Sequence, residues 1–415
     1  MRIIPRRIEL KKIEESLPWV LIYGRRKTGK TFIIDNFVEH DKSFFVNRDS
    51  TVFDKKNGEL YTYNEFIKVF REIIEDKRIV IDEFHRLPEN FLDYLHSIGT
   101  KGNLILITST LWLAKHLLGR RSPLIGLIRP VKIDLIDERE ILVKLADELN
   151  GKELIETSVY LREVMLIPFY KRNIQKFITN FLIDEKIIIK ELIGEIFTEE
   201  ERELTNIYEG IMKAVAVGKH VSTEISTFLF SRNVLAKDNP GVLQKYLNTL
   251  VTMGILEKVK VWGKNKFRYF HHSPLFDMHY YLEEKYSYTE VETPATFIRK
   301  VVEAKIPYHV EQFFRNLFVK IFGLQHTKIE EKNFEIDIAL FEFKKPKVVA
   351  EIKWKKKISR ADVKRVEEKL GKFKNCRKIL VVPEKNALET VPKNLEVWCV
   401  DDVVDAARKS LYSIK

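Results

Sequence analysis

Residues 19–37 read WVLIYGRRKTGKTFIIDNF, and this stretch decides the fold of the N-terminal part of the chain. An apolar run stops at Gly24, and a glycine-containing turn leads at Thr31 into a segment with apolar residues at helical spacing. This order predicts a buried strand, a tight loop and a helix. Because the loop fits the pattern G-x-x-x-x-G-K-T and lies between a strand and a helix, it predicts a phosphate-binding loop.

Further apolar runs and amphipathic segments alternate after this loop. The apolar runs lie at residues 43–47, 78–82, 103–108 and 131–135, and helix-like segments such as 63–76 and 89–98 lie between them. Strands that alternate with helices predict an α/β fold with a parallel sheet that is covered on both faces. We expect this P-loop NTPase domain to end at residue 137.

The loop predicts ATP and Mg²⁺ as ligands. Its glycines allow the backbone to turn tightly, so that successive N–H groups and the N-terminus of the next helix face the phosphates. Lys30 is expected to neutralise the β and γ oxygens, and Thr31 is expected to offer its hydroxyl to Mg²⁺.

The segment RIVIDEF, residues 78–84, supplies the acids that hydrolysis needs. We expect Asp82 to be a second magnesium ligand and Glu83 to polarise the attacking water as the catalytic base. The alternative is a solvated acid pair after an edge strand. Thr108, Ser109 and Thr110 end the next strand, and one of them, with Thr108 the residue assigned, is expected to sense the γ-phosphate. Such a cluster is equally typical of a helix N-cap.

The rest of the chain predicts four more segments. Residues 138–199 show helical periodicity and predict a helical lid, and residues 276–300 predict a helical connector. The order of three helices and a hairpin in 200–275 predicts a winged helix. Residues 301–415 alternate helices and strands and predict a second α/β domain. The winged helix carries Lys245, Lys258, Lys260, Lys264, Lys266 and Arg268, which suit DNA phosphates, and Gln244 and Asn248, which suit base edges.

Acidic and basic residues recur in the last of these segments. Asp337 lies in one predicted strand, and Glu351 and Lys353 lie in the next, so their side chains can meet on one face of a sheet. Two such carboxylates can hold Mg²⁺, with Glu311 of the preceding helix as a further ligand, and Lys353 can stabilise charge on a cleaved phosphate. The alternative is a charged surface on a structural or DNA-binding domain.

The net charge of the chain predicts a polyanionic partner. Lys and Arg number 72 against 60 Asp and Glu, a net charge of +12. Residues 341–378 contain 15 Lys and Arg against 5 Asp and Glu, so most of the excess lies there. The first residues are too charged for a secretion signal, and no apolar run approaches the roughly 20 residues of a membrane span. We therefore expect a cytoplasmic protein without a membrane partner.

With these motifs the chain resembles the archaeal P-loop ATPases of the STAND group, which are close to AAA+ ATPases. The resemblance rests on the segments GRRKTGKT, VIDEF, LILITST and SPLIG. It implies an ATPase core followed by a winged helix and, in some members, a C-terminal domain of the PD-(D/E)xK nuclease fold. Relatives often carry two arginines after SPL-Y-G, but Leu127 and Ile128 follow here, so the arginine that completes the site would be Arg129, Arg120 or Arg121.

Two more departures from the family concern the lid and the acidic strand. The lid pattern G-G-x-P is reduced here to Pro168, and Phe334 replaces the glycine that usually precedes E-I-D. Hydrolysis is therefore expected to be slow, or to require an arginine from a second copy or a partner protein. The residues predicted to bind nucleotide are Gly24, Arg25, Arg26, Lys27, Thr28, Gly29, Lys30, Thr31, Phe32, Asp82, Thr108 and Arg129.

Three functions are compatible with these features. The first is an ATPase that acts on or with DNA, with ATP gating a Mg²⁺-dependent nuclease site at Asp337, Glu351 and Lys353. The second is a STAND-type regulatory scaffold that uses ATP for self-association and has no nuclease activity. The third is a DNA-binding regulator that uses ATP only as a ligand.

Overall fold

The computed structural model describes residues 3–111, 114, 117, 122–200, 202–331 and 334–413. The chain divides into two compact units: the first comprises Met1–Leu135 and Glu191–Leu204, and the second Ile136–Lys190 and Thr205–Lys415. The first boundary lies close to the predicted end of the P-loop domain. Residues 191–204, most of which were expected in the lid, belong to the first unit. The finer division into lid, winged helix, connector and C-terminal domain remains a prediction.

The first unit is built on a mixed sheet. Its strands among the described residues are β1 (Trp19–Tyr23), β2 (Lys42–Val46), β3 (Val52–Asp54), β4 (Leu60–Tyr61), β5 (Arg78–Asp82), β6 (Asn103–Thr108) and β7 (Arg129–Lys132). They are ordered β4-β3-β2-β5-β6-β1-β7, and β1 lies between β6 and β7 with parallel pairing on both sides. This arrangement confirms an α/β fold with a largely parallel sheet.

The predicted parallel sheet has an antiparallel edge that the sequence did not indicate. Strands β3 and β4 pair antiparallel with their neighbours. The chain turns back between these strands over only a few residues, and Ser50 and Gly58 adopt positive φ angles in the turns. Such short connections allow hairpins but no helical crossover, which parallel neighbours require.

Helices cover both faces of this sheet, as predicted. They are α1 (Arg7–Glu15), α2 (Lys30–Phe37), α3 (Tyr63–Ile73) and α4 (Asn90–Ile98). Successive residues of β1 belong to different cores. Trp19 and Leu21 belong to the cluster that contains Phe66 of α3, whereas Val20 and Ile22 belong to the cluster that contains Ile33 of α2. This alternation anchors β1 on both faces of the sheet, and the loop begins after Tyr23.

The second unit begins with helices and a hairpin. Its helices are α5 (Glu138–Leu145), α6 (Gly151–Leu161), α7 (Ile174–Asp184), α8 (Lys186–Glu199), α9 (Asn206–Ala216), α10 (Ser222–Phe230), α11 (Pro240–Thr252), α12 (Pro274–Tyr286) and α13 (Ala295–Phe322). The chain of α8 passes from the second unit into the first. Strands β8 (Leu256–Lys260) and β9 (Phe267–His271) form an antiparallel hairpin after α11, as the sequence predicts.

A second sheet forms the C-terminal part of this unit. Its strands are β10 (Gln325–His326), β13 (Ile338–Glu342), β14 (Lys345–Ile352), β15 (Arg377–Val381) and β16 (Glu396–Trp398), in the order β10-β13-β14-β15-β16. A small hairpin of β11 (Glu330–Glu331) and β12 (Phe334–Glu335) precedes β13, and the last helices are α14 (Arg360–Gly371) and α15 (Val400–Tyr412). The predicted strand at 334–342 is divided, and Asp337 lies at the division.

None of the described helices combines the length and the apolar character that crossing a bilayer demands.

Candidate functional site

The loop between β1 and α2 depends on its two glycines. A Cβ atom at Gly24 would lie 1.9 Å from the carbonyl oxygen of Ile133, so only glycine fits against that backbone. Gly29 precedes α2 with a φ of 84°, a conformation that residues with a Cβ rarely adopt. Within the loop the Thr28 hydroxyl donates to the carbonyl of Arg25 at 2.8 Å. The backbone therefore has the shape that the motif predicts.

Lys30 crosses this loop from the first turn of α2. Its Nζ donates to the carbonyl oxygens of Gly24 at 2.9 Å and Arg25 at 3.1 Å. Burial lowers the pKa of Lys30 to about 8, although the nearby carboxylates of Glu83 and Asp82 oppose this shift. The ammonium is thus held inside the loop and is still largely protonated at neutral pH.

Thr31, in the first turn of α2, contacts Asp82, the last residue of β5. The Thr31 hydroxyl donates to Oδ2 of Asp82 at 2.7 Å. Asp82 ends β5 and is buried, and burial raises its pKa although the hydrogen bond from Thr31 opposes the shift. A hydroxyl and a carboxylate side by side are oxygen ligands of the kind that Mg²⁺ prefers. These two residues therefore fit a magnesium ion.

Glu83 follows Asp82 in a left-handed backbone conformation, with a φ of 55°. Its N–H donates to Oδ1 of Asp82 at 3.0 Å, and its carboxylate accepts the Ser109 hydroxyl at 3.1 Å. Nδ1 of His85 lies 3.4 Å from the same carboxylate. Because burial lowers the pKa of His85 to about 4, this imidazole is neutral at pH 7. The strained backbone and Ser109 together fix the direction of the Glu83 carboxylate.

The remaining residues predicted to bind nucleotide lie at different distances from the loop. Thr108 is buried, and its hydroxyl contacts His85 at 3.0 Å and accepts the N–H of Thr110. Phe32 is partly exposed on α2. Arg129 pairs with Val20, ~10 Å along β1 from the loop, and donates to the carbonyl of Glu15. The structure does not bring Arg129 to the loop of its own chain, and Arg120 and Arg121 lie outside the described residues.

The other charged residues of the loop contact helix α8 or solvent. Arg26 forms ion pairs with Glu195, at 2.9 Å, and with Glu199, both near the end of α8. Arg25 is buried, whereas Lys27 is exposed and has a positive φ. The residues after α8 also contact the end of β6, because the Glu200 carboxylate accepts the N–H of Leu111. Glu195 and Glu199 thus lie beside the phosphate-binding loop.

Arg6 supports the loop from the N-terminal side. Its guanidinium donates to the carbonyl of Thr28 at 2.9 Å and to the carbonyl of Asp134 at 2.8 Å, and it pairs with Glu9 at 2.6 Å. Arg6 is 2% exposed. It therefore joins the loop to the segment after β7.

In the second unit the structure brings Asp337, Glu351 and Lys353 together at the end of β14. Oε1 of Glu351 accepts the N–H of Asp337 at 3.2 Å, and Oδ2 of Asp337 accepts the N–H of Ile352 at 2.8 Å. Nζ of Lys353 lies 3.5 Å from Oε2 of Glu351. We refer to Glu311, Asp337, Glu351 and Lys353 as the acid site.

Glu311 approaches this group from α13. Burial and the charge of Asp337 raise the pKa of Glu311 to about 7, although Lys328, 3.6 Å away, opposes the shift. Burial and Asp337 also raise the pKa of Glu351. The carboxylates of Asp337 and Glu351 supply oxygen ligands. Because the two negative charges repel each other, a cation beside them is favoured. Within the part of the chain that the structure describes, no group of three or more His, Cys, Asp and Glu residues is arranged to hold a metal ion.

Two basic residues of the β8–β9 hairpin pair with an acid of the same unit, and a third contacts the backbone of that acid. Lys266 and Arg268 each lie 2.9 Å from the carboxylate of Glu330 on β11, and Lys264 donates to the Glu330 carbonyl. On α11, Gln244 and Asn248 are exposed. Lys245 and Lys258 lie over the rings of Tyr246 and Phe267, and Lys260 is exposed.

Sequence reasoning missed several residues of these sites. They are Arg6, Glu195 and Glu199 around the loop, and Lys369 beside Glu351; Ser109 was a candidate for a contact with the γ-phosphate, but its contact with Glu83 was not predicted. The four-residue spacing of Glu195 and Glu199 places them on one helix face and was a usable signal. Arg6, Ser109 and Lys369 reach their partners only through the tertiary fold, so no local pattern identifies them.

The loop, its lysine and the acid at the end of β5 define a P-loop nucleotide-binding domain. Residues 16–125 match a family model described as an AAA domain. This part of the chain is therefore similar to AAA domains.

Solved structures of archaeal ATPases and origin-recognition proteins show more distant likeness. A Walker-type ATPase of Pyrococcus abyssi is 17% identical, with 67% of this chain and 96% of that chain covered and a TM-score of 0.44. The Aeropyrum pernix ORC2 protein in ADPNP–ADP complexes is 13% identical, with 73% and 92% covered and a TM-score of 0.35. The Aeropyrum pernix ORC1 protein in complex with DNA is 14% identical, with 70% and 95% covered and a TM-score of 0.30. No curated protein matches the chain significantly.

Proposed function

We propose that the chain binds and hydrolyses ATP and acts on or with DNA. One observation carries the ATPase part of the proposal. Lys30 lies inside a loop of the correct shape, and the hydroxyl of the next residue, Thr31, contacts Asp82 of a neighbouring strand at 2.7 Å. This is the arrangement that positions the phosphates and their metal ion in P-loop ATPases.

The residues divide the chemistry of hydrolysis between them. Lys30 and the loop N–H groups hold the β- and γ-phosphates, and Thr31 and Asp82 would hold Mg²⁺, which supplies charge neutralisation to the phosphate oxygens. Glu83 orients a water molecule and accepts its proton while the water oxygen bonds to the γ-phosphorus. The bond from the γ-phosphorus to the bridging oxygen breaks, and ADP leaves with that oxygen. Ser109 keeps the Glu83 carboxylate in place.

The first experiment measures Mg²⁺-dependent ATP turnover with and without duplex DNA. We expect Glu83→Gln to retain ATP binding and to lower turnover by about 100-fold or more, the size of a lost general base. Glu72→Gln, an exposed acid on α3, is the matched control and should leave turnover unchanged. Turnover that persists in Glu83→Gln would show that another group is the base.

The DNA part of the proposal is supported by the distribution of charge. Residues 341–378 carry 15 basic against 5 acidic residues, and the side chains of Lys357 and Lys364 are 80% and 78% exposed. Exposed cations of this kind bind phosphates without reading sequence. DNA affinity should therefore fall steeply as salt is raised, and a flat response would indicate a different partner.

A second activity, Mg²⁺-dependent DNA cleavage by the acid site, is supported by a specific observation. The acid before β13, Asp337, lies beside Glu351 and Lys353 at the end of β14. In cleavage, water bonds to a backbone phosphorus, one ester P–O bond breaks, and the leaving oxygen takes a proton. Asp337→Ala should abolish nicking and leave ATP turnover intact, whereas Asp401→Ala, an exposed acid on α15, should change neither.

Regulatory functions make different predictions for the same measurements. A STAND-type scaffold would self-associate with ATP, which light scattering detects, and would not nick DNA. A regulator that uses ATP only as a ligand would bind nucleotide without turnover. A requirement for an arginine from a second copy or a partner would appear as turnover that rises with protein or partner concentration.

A further inference from the structure

A second lysine contacts the acid site from a different element. Nζ of Lys369 lies 2.6 Å from Oε1 of Glu351, closer than Nζ of Lys353, which lies 3.5 Å from Oε2. Lys369 belongs to the last turn of α14, sixteen residues after Lys353 in the sequence. The two ammonium groups therefore approach the two oxygens of one carboxylate.

The burial of these groups gives Lys369 a defined position. The Glu351 side chain is 1% exposed, whereas the side chains of Lys369 and Lys353 are 27% and 26% exposed. A buried carboxylate needs a counter-ion, and Lys369 is the nearer of the two. Its partial exposure leaves the ammonium between the buried acid and solvent, where a ligand arriving at the acid site would meet it.

We propose that Lys369 is a second phosphate-binding lysine of the acid site and the counter-ion that a divalent cation displaces from Glu351. Its counter-ion role stands on the contacts of Lys369 alone, whereas its role toward phosphate rests on the proposed nuclease function. When Glu351 becomes a metal ligand, Lys369 loses its ion pair and its ammonium is free to contact a DNA phosphate. Lys353 then approaches that phosphate from the strand and Lys369 from the helix.

The proposal predicts opposite changes in two measurements. Removal of the Lys369 charge takes away a competitor for Glu351, so Mn²⁺, used as the probe cation, should bind roughly two- to fivefold more tightly. Removal of a phosphate-binding charge should at the same time lower nicking about 100-fold. A lysine that only stabilised the fold would weaken both when replaced.

The experiment uses the full chain without nucleotide and compares four variants with the wild type. Mn²⁺ binding is measured by electron paramagnetic resonance, and Asp337→Ala identifies the portion of binding that belongs to the acid site. Lys369→Met should bind Mn²⁺ more tightly and nick less. Lys369→Arg should return the Mn²⁺ affinity to the weaker wild-type value and recover much of the nicking. Lys364→Met is the control, because Lys364 lies on the same helix, is exposed and forms an ion pair with Glu368 at 3.9 Å.

The outcomes separate the inference from the proposed nuclease function. Wild-type protein that binds Mn²⁺ at the acid site but never nicks would refute the nuclease function, and the Mn²⁺ affinity of Lys369→Met would still decide the counter-ion role. Unchanged or weaker Mn²⁺ binding in Lys369→Met would overturn the inference. Tighter Mn²⁺ binding together with lower nicking in the control Lys364→Met would overturn it as well. Wild-type protein without Asp337-dependent Mn²⁺ binding would refute both.

Discussion

The phosphate-binding loop and the acid site both lie at the ends of β-strands, but backbone packing maintains the first and side-chain contacts maintain the second. Residues 24–29 form one continuous loop, and its geometry depends on backbone packing, because a Cβ atom at Gly24 would lie 1.9 Å from the Ile133 carbonyl oxygen. The acid site collects side chains from α13, from the segment before β13 and from the end of β14, and Lys369 of α14 contacts it. Its members are held by ion pairs and by hydrogen bonds between carboxylates and N–H groups.

This difference indicates how each region should respond to mutation. A site that depends on backbone shape fails when a Cβ atom is added, even if every functional side chain remains. A site that depends on paired charges responds to the loss of a counter-ion and to pH. The following predictions test this contrast, from the largest expected effect to the smallest.

The largest effect is expected for Gly24→Ala. The added methyl group cannot avoid the Ile133 carbonyl without movement of the loop or of the chain after β7. We expect the free energy of unfolding to fall by about 3 kcal/mol and nucleotide binding to be lost, as measured by urea denaturation and calorimetry. Gly194→Ala is the control, because nothing lies within 4 Å of its Cβ position. Normal stability and binding in Gly24→Ala would refute the role of backbone shape.

An intermediate effect is expected for Glu257→Gln in the second unit. The Glu257 carboxylate contacts His272 at 2.7 Å and Arg315 at 2.8 Å, and Arg315 belongs to the same helix as Glu311. Burial alone would raise the pKa of Glu257, but the hydrogen bond from His272 and the charges of His272 and Arg315 lower it to about 2. The variant should lose about 2 kcal/mol of unfolding free energy at pH 7.

The pH dependence of this loss follows from the direction of the shift. Because the pKa of the folded protein lies below the unfolded value, the stabilisation is complete above the unfolded pKa, near 4.5, and disappears as pH falls towards 2. The difference between wild type and Glu257→Gln should therefore shrink over that range in urea denaturation experiments. Glu303→Gln, an exposed residue of α13, should show no difference. A constant difference at all pH values would contradict the assignment.

The smallest effect is expected at the ion pairs beside the loop. Glu199 pairs with Arg26, and its negative charge acts on Lys30. Its carboxylate repels the phosphates of a bound nucleotide, so Glu199→Gln should tighten Mg·ATP binding by about two- to fivefold. Glu191→Gln, exposed on the same helix, should leave the affinity unchanged. Weaker binding by Glu199→Gln in calorimetry would show that the ion pair supports the loop instead.

The same contrast explains how much could be predicted from the sequence. The strand, loop and helix at residues 19–37 were predicted because their signals are contiguous and local. The antiparallel edge formed by β3 and β4 was missed, since each strand has three residues or fewer and no clear periodicity. Asp82 was identified from the end of an apolar run, whereas Ser109, one of three neighbouring polar residues, was distinguished only by its contact with Glu83.

The acid site was predicted less completely for a physical reason. Alternation along β-strands placed Asp337, Glu351 and Lys353 on one face, and the structure brings these three together. Lys369 lies on a helix that packs against the sheet, and its distance from Glu351 depends on how that helix packs. The basic hairpin residues Lys266 and Arg268 were expected to face DNA, but the fold places them against Glu330. Contacts of this kind are absent from local patterns.

The most direct test of the central claim is the binding of a non-hydrolysable ATP analogue with Mg²⁺, measured by calorimetry on the full chain. The wild type should bind one equivalent, and Lys30→Ala should weaken binding about 10- to 100-fold, because a buried charged donor is lost. Lys12→Ala, an exposed lysine on α1, should bind like the wild type. No binding by the wild type, or unchanged binding by Lys30→Ala, would contradict the account.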